Sequence, residues 1–202
     1  MLDQASRPTV VAAAPAGPPV HRVGLVCGSG AGTGRHYLDF AAELGGALGR
    51  AGFDLVCGGT SAGLLSEVVR TAHAFGSGVL NVVPHALLPE AACGEMAGGV
   101  VLQVVRSTYE RMRMVHRLSD AVVVLPGGVE VLRELGELLS VEAVTGRVGR
   151  IVLANRRGCF DPLLELLDHA EADAFATGAE LRTLEVAETA DDVLRLLGRP
   201  QP

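Results

Sequence analysis

Short runs rich in Val, Leu and Ile alternate along this chain with longer amphipathic stretches, and that alternation constrains the fold more than any other feature. The runs read as strands at Arg22–Cys27, Asp54–Cys57, Val79–Val83, Val100–Val105, Ala121–Leu125, Arg150–Ala154 and Arg182–Val186. The stretches between them read as helices at Arg35–Ala51, Ala62–Phe75, Ser107–Leu118, Val129–Thr145, Pro162–Ala172 and Ala190–Leu197. Strands that are apolar at consecutive rather than alternate positions are covered on both faces, as in a parallel sheet. Strand and helix repeated in this order predict an α/β fold: a single doubly wound, Rossmann-like domain with a mostly parallel sheet flanked by helices. Segment 84–99, with Pro84, Pro89 and Gly94, is expected to form a loop with a short helix. Residues 1–20 hold Pro8, Pro15, Pro18 and Pro19 among small residues and are expected to form a flexible tail, leaving 21–202 as the domain.

Composition narrows the partners. A chain of 202 residues with 49% hydrophobic side chains has enough apolar surface for a substantial core. Aromatic residues are 3% with no Trp, which leaves no stacking platform for single-stranded nucleic acid. The formal charge is −6 and the basic residues form no block, so no nucleic-acid partner is expected. The apolar part of the tail is too short to span a membrane, and no membrane partner is expected. Cys27, Cys57, Cys93 and Cys159 form no C-x-x-C pair and read as reduced, mostly buried thiols of a cytoplasmic protein. The histidines are scattered without metal-ligand spacing, so no metal is expected.

In open α/β sheets a ligand sits beyond the carboxyl ends of the strands, where the strand order reverses. Three glycine-rich turns are expected to converge there: Gly28–Gly34, Gly58–Gly63 and Gly127–Gly128. The first, with Gly28 at its start and Ser29 and Thr33 as hydroxyl donors, reads as a phosphate cradle; the alternative is a tight turn with no ligand. The second strand does not end in an acid that would hold a dinucleotide ribose, because Gly58 and Gly59 follow it directly.

The third turn carries the strongest signal. Ala121–Leu125 runs into Pro126-Gly127-Gly128, and a helix opens behind it with Glu134 in its second turn. Two glycines at a helix N-terminus let backbone N–H groups approach an anion. Arg111 lies on the helix before that strand. Cleavage of an N-glycosidic bond builds positive charge on the sugar, which a carboxylate stabilises, while an arginine grips a phosphate or polarises the departing base. Taken singly, Arg111 and Glu134 read as members of surface ion pairs; together, with Pro126-Gly127-Gly128 between them, they read as functional.

This segment resembles the signature of the Lonely Guy family, nucleoside 5′-monophosphate phosphoribohydrolases once misnamed lysine decarboxylases. That signature reads P-G-G-x-G-T-x-x-E, with E-R-K on the preceding helix. Pro126, Gly127, Gly128 and Glu134 match it, as do Glu110 and Arg111. Cys27-Gly28-Ser29, Gly58-Gly59 and Asn81-Val82-Val83-Pro84 extend the likeness over roughly Arg22 to Leu197. The resemblance implies catalytic roles for Arg111 and Glu134 and a homodimer; phosphate or ribose contacts are expected at Gly28, Ser29, Thr33, Gly58, Gly59, Gly127, Gly128, Glu130 and Val131, with a small-molecule nucleotide substrate and a chemistry that requires no cofactor. Met112 and Met114, with Leu118, are the expected base pocket in a site short of aromatics.

Three positions depart from the signature: Glu130 replaces its third glycine, Val131 its threonine, and Met112 its lysine. Glu130 stands at the helix N-terminus, where a phosphate is expected to bind. Two like charges 4 Å apart at an effective dielectric near 20 repel by roughly 4 kcal/mol. Either Glu130 turns outward, or the substrate has no phosphate at that spot. Hydrolysis of a purine-type nucleoside monophosphate is the leading expectation. A non-catalytic nucleotide-binding homologue and a glycosidase of unphosphorylated nucleosides are the alternatives. On the helix itself, Glu130, Glu134 and Glu137 are expected to share a solvated face with Arg133 pairing to Glu137, while Leu132, Leu135 and Leu139 pack inward.

Overall fold

Seven strands pair in parallel throughout one sheet, in the order β4-β3-β2-β1-β5-β6-β7. They are β1 (Arg22–Val26), β2 (Asp54–Cys57), β3 (Val79–Pro84), β4 (Val100–Val105), β5 (Ala121–Val124), β6 (Arg150–Ala154) and β7 (Leu184–Ala187). The structure, a computed structural model, describes residues 20–59, 62–88, 100–145 and 149–198. Most of the expected tail and of the expected loop 84–99, with Cys93, lies outside the described residues. Val20, placed in the tail by sequence, is buried against the core.

Helices α1 (Arg35–Arg50), α2 (Gly63–Ala74) and α7 (Ala190–Leu196) cover one face of the sheet. Helices α3 (Thr108–Leu118), α4 (Val129–Thr145) and α5 (Asp161–Ala172) cover the other. Alternate strand residues feed the two cores: Leu25, Leu55 and Val123 pack under Phe40, Leu44 and Val68, whereas Val26, Val122 and Val124 pack under Val131, Leu135 and Leu138. This double cover is why the strands are apolar at successive positions. A short helix, α6 (Gly178–Leu181), precedes β7 and has no apolar periodicity long enough to announce it.

β4 departs from the expectation of two covered faces. It is one of the two edge strands, paired among the described residues only to β3, and Val101, Leu102 and Val104 are exposed. Consecutive apolar residues mark a buried strand only where both neighbours and both layers are present.

The register places the site. β1 pairs with β5 through Val26↔Val124, and Leu125 N donates to Val26 O at 2.8 Å, so the two strands end level with each other. From β1 the chain crosses to β2 on one side; from β5 it crosses to β6 on the other. The turns after β1 and β5 therefore diverge and leave a crevice between them.

Candidate active site at the strand-order switch

The glycine turns meet as the sequence anticipates. A Cβ on Gly28 would stand 3.2 Å from Gly127 Cα, and one on Gly127 would stand 3.0 Å from Gly28 N and collide with Val131. The first and third turns are thus in backbone contact, which only glycine permits. Gly63 has φ +67, and a Cβ there would lie 2.7 Å from Ser29 O, so the second turn closes on the first. Between them opens a cleft of about 430 Å³, walled by Gly28 to Gly32, Pro126 to Glu130, Tyr37, Leu64 and Cys159. Among the described lining residues Glu130 carries the one formal charge.

Arg111 and Glu134 come together beside this cleft. Among the described residues they are the two buried ones that carry charge, at 6% and 5% exposure, and the Arg111 guanidinium donates to Glu134 Oε1. Arg111 Nη1 also donates to Gly58 O at 2.8 Å. A Cβ on Gly58 would press within 2.8 Å of the Arg111 stem, so the glycine makes room for the arginine it binds. Asn81 Nδ2 donates to Gly59 O at 3.3 Å and steadies that turn. Ser107 caps α3 by accepting from Glu110 N, and the Glu110 carboxylate accepts from Arg106 N at 2.9 Å. The glutamate beside Arg111 therefore anchors the helix end that carries the arginine.

Glu130 turns inward rather than outward. Its Oε1 lies 3.6 Å from Arg111 Nη2 while its side chain stays 55% exposed on the cleft rim. Arg133 adds a second guanidinium, 3.5 Å from Glu134 Oε1, and its Nη1 lies 3.7 Å from Met112 Sδ. The expected Arg133–Glu137 pair gives way to this contact. The three glutamates do not form one solvated stripe either, since Glu134 is buried while Glu130 is exposed. Leu135 is in the core and Leu139 packs on it, but Leu132 is 48% exposed.

Other expected site residues fall elsewhere. Met112 is 2% exposed, and Met114 and Leu118 pack on the cluster of Val56, Val82, Val105 and Val115, so none of them walls the cleft. Helical spacing made these residues core. Thr33 is exposed and outside the cleft wall, whereas Ser29 lines it. Val131 is fully buried against Gly127, so it offers neither a hydroxyl nor access. Tyr37, Leu64 and Cys159 were not anticipated. They follow the carboxyl ends of β1, β2 and β6, the edge where ligands bind, and that rule was the available signal.

Burial disables two of the thiols: it pushes Cys27 and Cys57 up to about 12, so both stay protonated at neutral pH. His116 is partly buried, and its Nε2 is enclosed without a hydrogen-bond partner among the described residues. Burial first, then the Arg111 charge, lowers its pKa from 6.5 to about 4. The ring is neutral in the fold but takes a proton in the unfolded chain once the pH drops below 6.5. Stability should therefore be unaffected by this group above pH 6.5 and fall as pH falls from 6.5 to about 4. The cost is about 2 kcal/mol at pH 5. Melting curves of the wild type and His116→Gln at pH 7 and pH 5 should show the variant losing less on acidification; equal losses would place the acid sensitivity elsewhere.

Comparison with known proteins gives this geometry a lineage. Residues 65–197 match the family model described as "Possible lysine decarboxylase". A cytokinin riboside 5′-monophosphate phosphoribohydrolase of Oryza sativa subsp. japonica is 35% identical over 173 residues, 86% of this chain and 71% of that one. One from Arabidopsis thaliana is 32% identical over 176 residues, 87% and 82% of the two chains. The chain belongs to the Lonely Guy family. Among solved structures, the molybdenum cofactor carrier protein of Chlamydomonas reinhardtii superposes with a TM-score of 0.64 at 22% identity, over 89% of this chain and 99% of that one, a likeness of fold. The Lonely Guy signature residues Arg111, Gly127, Gly128 and Glu134 are the ones gathered at the switch point, and its departures Met112, Glu130 and Val131 all touch the same cluster. Among the described residues, no three His, Cys, Asp or Glu side chains are grouped to hold a metal, and no helix is long and apolar enough to cross a membrane.

Proposed function

We propose that the protein hydrolyses the N-glycosidic bond of a purine-type nucleoside 5′-monophosphate, giving free base and ribose 5-phosphate, without a cofactor. The observation that carries this reading is the buried Arg111–Glu134 pair beside the Gly28–Gly127 contact. Burial and two guanidinium neighbours hold the Glu134 carboxylate in one orientation. Placed against a ribose, it stabilises the positive charge that develops as the base departs and binds the sugar hydroxyls. Gly127, Gly128, Gly28 and Ser29 bring backbone N–H groups and a hydroxyl to the phosphate. Arg111 fixes Glu134 and the Gly58 turn together. The phosphoribohydrolase names of the relatives support the same chemistry. Incubation with a panel of nucleoside monophosphates and nucleosides, with free base and ribose 5-phosphate measured, tests it; no base from any of them would sink the reading.

Glu130 favours a second reading, in which the substrate is an unphosphorylated nucleoside, because the charged residue on the cleft rim is an acid. The same panel separates the two. Under the first reading, Glu130→Gly with Val131→Thr should tighten AMP binding, since it removes the carboxylate from the helix N-terminus and restores a hydroxyl. The double change should exceed Val131→Thr alone, because Val131 is buried and the charge is the larger effect. Calorimetric titration with unchanged or weaker affinity would mean that Glu130 does not oppose phosphate.

A homodimer in the cytoplasm belongs to the same proposal. Tyr109 on α3 and Val129 and Leu132 on α4 are 55%, 83% and 48% exposed, an apolar set beside the site that a partner subunit would cover. Light scattering at micromolar concentration should give twice the chain mass; a monomer would count against it.

A further inference from the structure

A nucleoside monophosphate brings roughly two negative charges into the site. The described residues lining the cleft offer it Glu130 and no cation. Around the buried pair, Arg111 and Arg133 balance Glu130 and Glu134, so the cluster is neutral before substrate arrives. The two arginines are not equivalent. The Arg111 side chain is 7% exposed, and its guanidinium is committed to Gly58 O and Glu134. The Arg133 side chain is 45% exposed and meets Glu134 at 3.5 Å. Its other nitrogen rests on the Met112 thioether, a weak acceptor that steadies a guanidinium without neutralising it. Arg133 also stands three residues after Glu130 on the same helix, so the two side chains are neighbours on one face of it, with Glu130 on the cleft wall.

Met112 fills the place of the signature lysine, so α3 presents a thioether where the family presents a cation. The chain contains no lysine at all, and the cation that now reaches this spot comes from α4. On the reading that the substrate is a nucleoside 5′-monophosphate, we propose that Arg133 is a specificity-determining residue that pairs with the substrate phosphate, offsetting Glu130 and replacing from α4 the charge that Met112 removes from α3. A planar guanidinium suits a phosphate, which it grips through two parallel hydrogen bonds. Arg111, being occupied, remains the positioning residue for Glu134.

The test compares kcat/KM for AMP with that for adenosine in the wild type, Arg133→Ala, Arg133→Lys and Met112→Lys/Arg133→Ala. Loss of a charge-assisted contact should lower the AMP-to-adenosine ratio by roughly 10- to 100-fold in Arg133→Ala. Arg133→Lys should retain more of that ratio than the alanine variant, and the double variant, if folded by its melting curve, should recover part of it. A ratio unchanged within experimental error, an equal fall for both substrates, or a folded double variant with no recovery would overturn the proposal. Calorimetric titration of wild type and Arg133→Ala with AMP gives the same comparison without turnover. A wild type that releases no base therefore condemns the hydrolase reading alone, while equal AMP affinities condemn the role of Arg133.

Discussion

Glu134→Gln should abolish most turnover and leave the fold standing. The amide keeps the volume of the side chain, and its oxygen still accepts from the Arg111 guanidinium. The charge is what disappears. Removing a carboxylate that faces a developing positive centre costs roughly 10²- to 10⁴-fold in rate. The fold survives because the countercharge to Arg111 is not lost with it: Glu130 Oε1 already lies 3.6 Å from the same guanidinium nitrogen. The weakened hydrogen bond should lower stability by about 1–3 kcal/mol. Base release by the purified variant, measured beside its melting curve, checks both halves. Near-native base release would show that Glu134 is not the catalytic carboxylate. Loss of activity together with loss of the melting transition would show that it is structural.

Most of this architecture was legible because its signals are local. Among the described residues, the strand runs and helix periods place six of the seven α-helices and all seven strands to within a few residues, and β2, β4, β6 and α4 agree to the residue. The convergence of the glycine turns followed from a topological rule, and the contact of Gly28 with Gly127 bears it out. What was not legible depends on which atoms end up opposite each other. Met112 and Met114 were the expected base-pocket residues because a site short of aromatics needs aliphatic side chains to line it. On α3, however, Met112 is buried beneath Arg133 and Met114 packs against the core. Arg133 pairs by adjacency with Glu134 rather than with Glu137 one turn on, and Met112 of α3 receives its other guanidinium nitrogen. Cys159 and Tyr37 come from distant segments and meet only through the strand order.

Arg111→Ala should be far more damaging than Arg113→Ala, although the two residues are separated by a single position on α3. Arg111 is buried, and its removal leaves the Glu134 carboxylate buried with only the 3.5 Å contact from Arg133 and leaves Gly58 O without its donor. Breaking a buried ion pair from one side costs about 3–5 kcal/mol. For a domain of this size that corresponds to a fall in Tm of roughly 6–20 °C. Arg113 is exposed and lies over the Tyr109 ring at 5.6 Å, a contact worth about 0.5–1 kcal/mol. Its loss should be close to neutral for stability, and its effect on base release should be small beside that of Arg111. Arg111→Lys separates charge from geometry. It keeps the countercharge to Glu134, but a single ammonium cannot span Gly58 O and Glu134 as the planar fork does. It should therefore recover stability more than turnover. Melting curves and base-release rates for the three variants decide the matter: equal losses at positions 111 and 113, or a larger loss at 113, would reject Arg111 as the residue that sets the catalytic carboxylate.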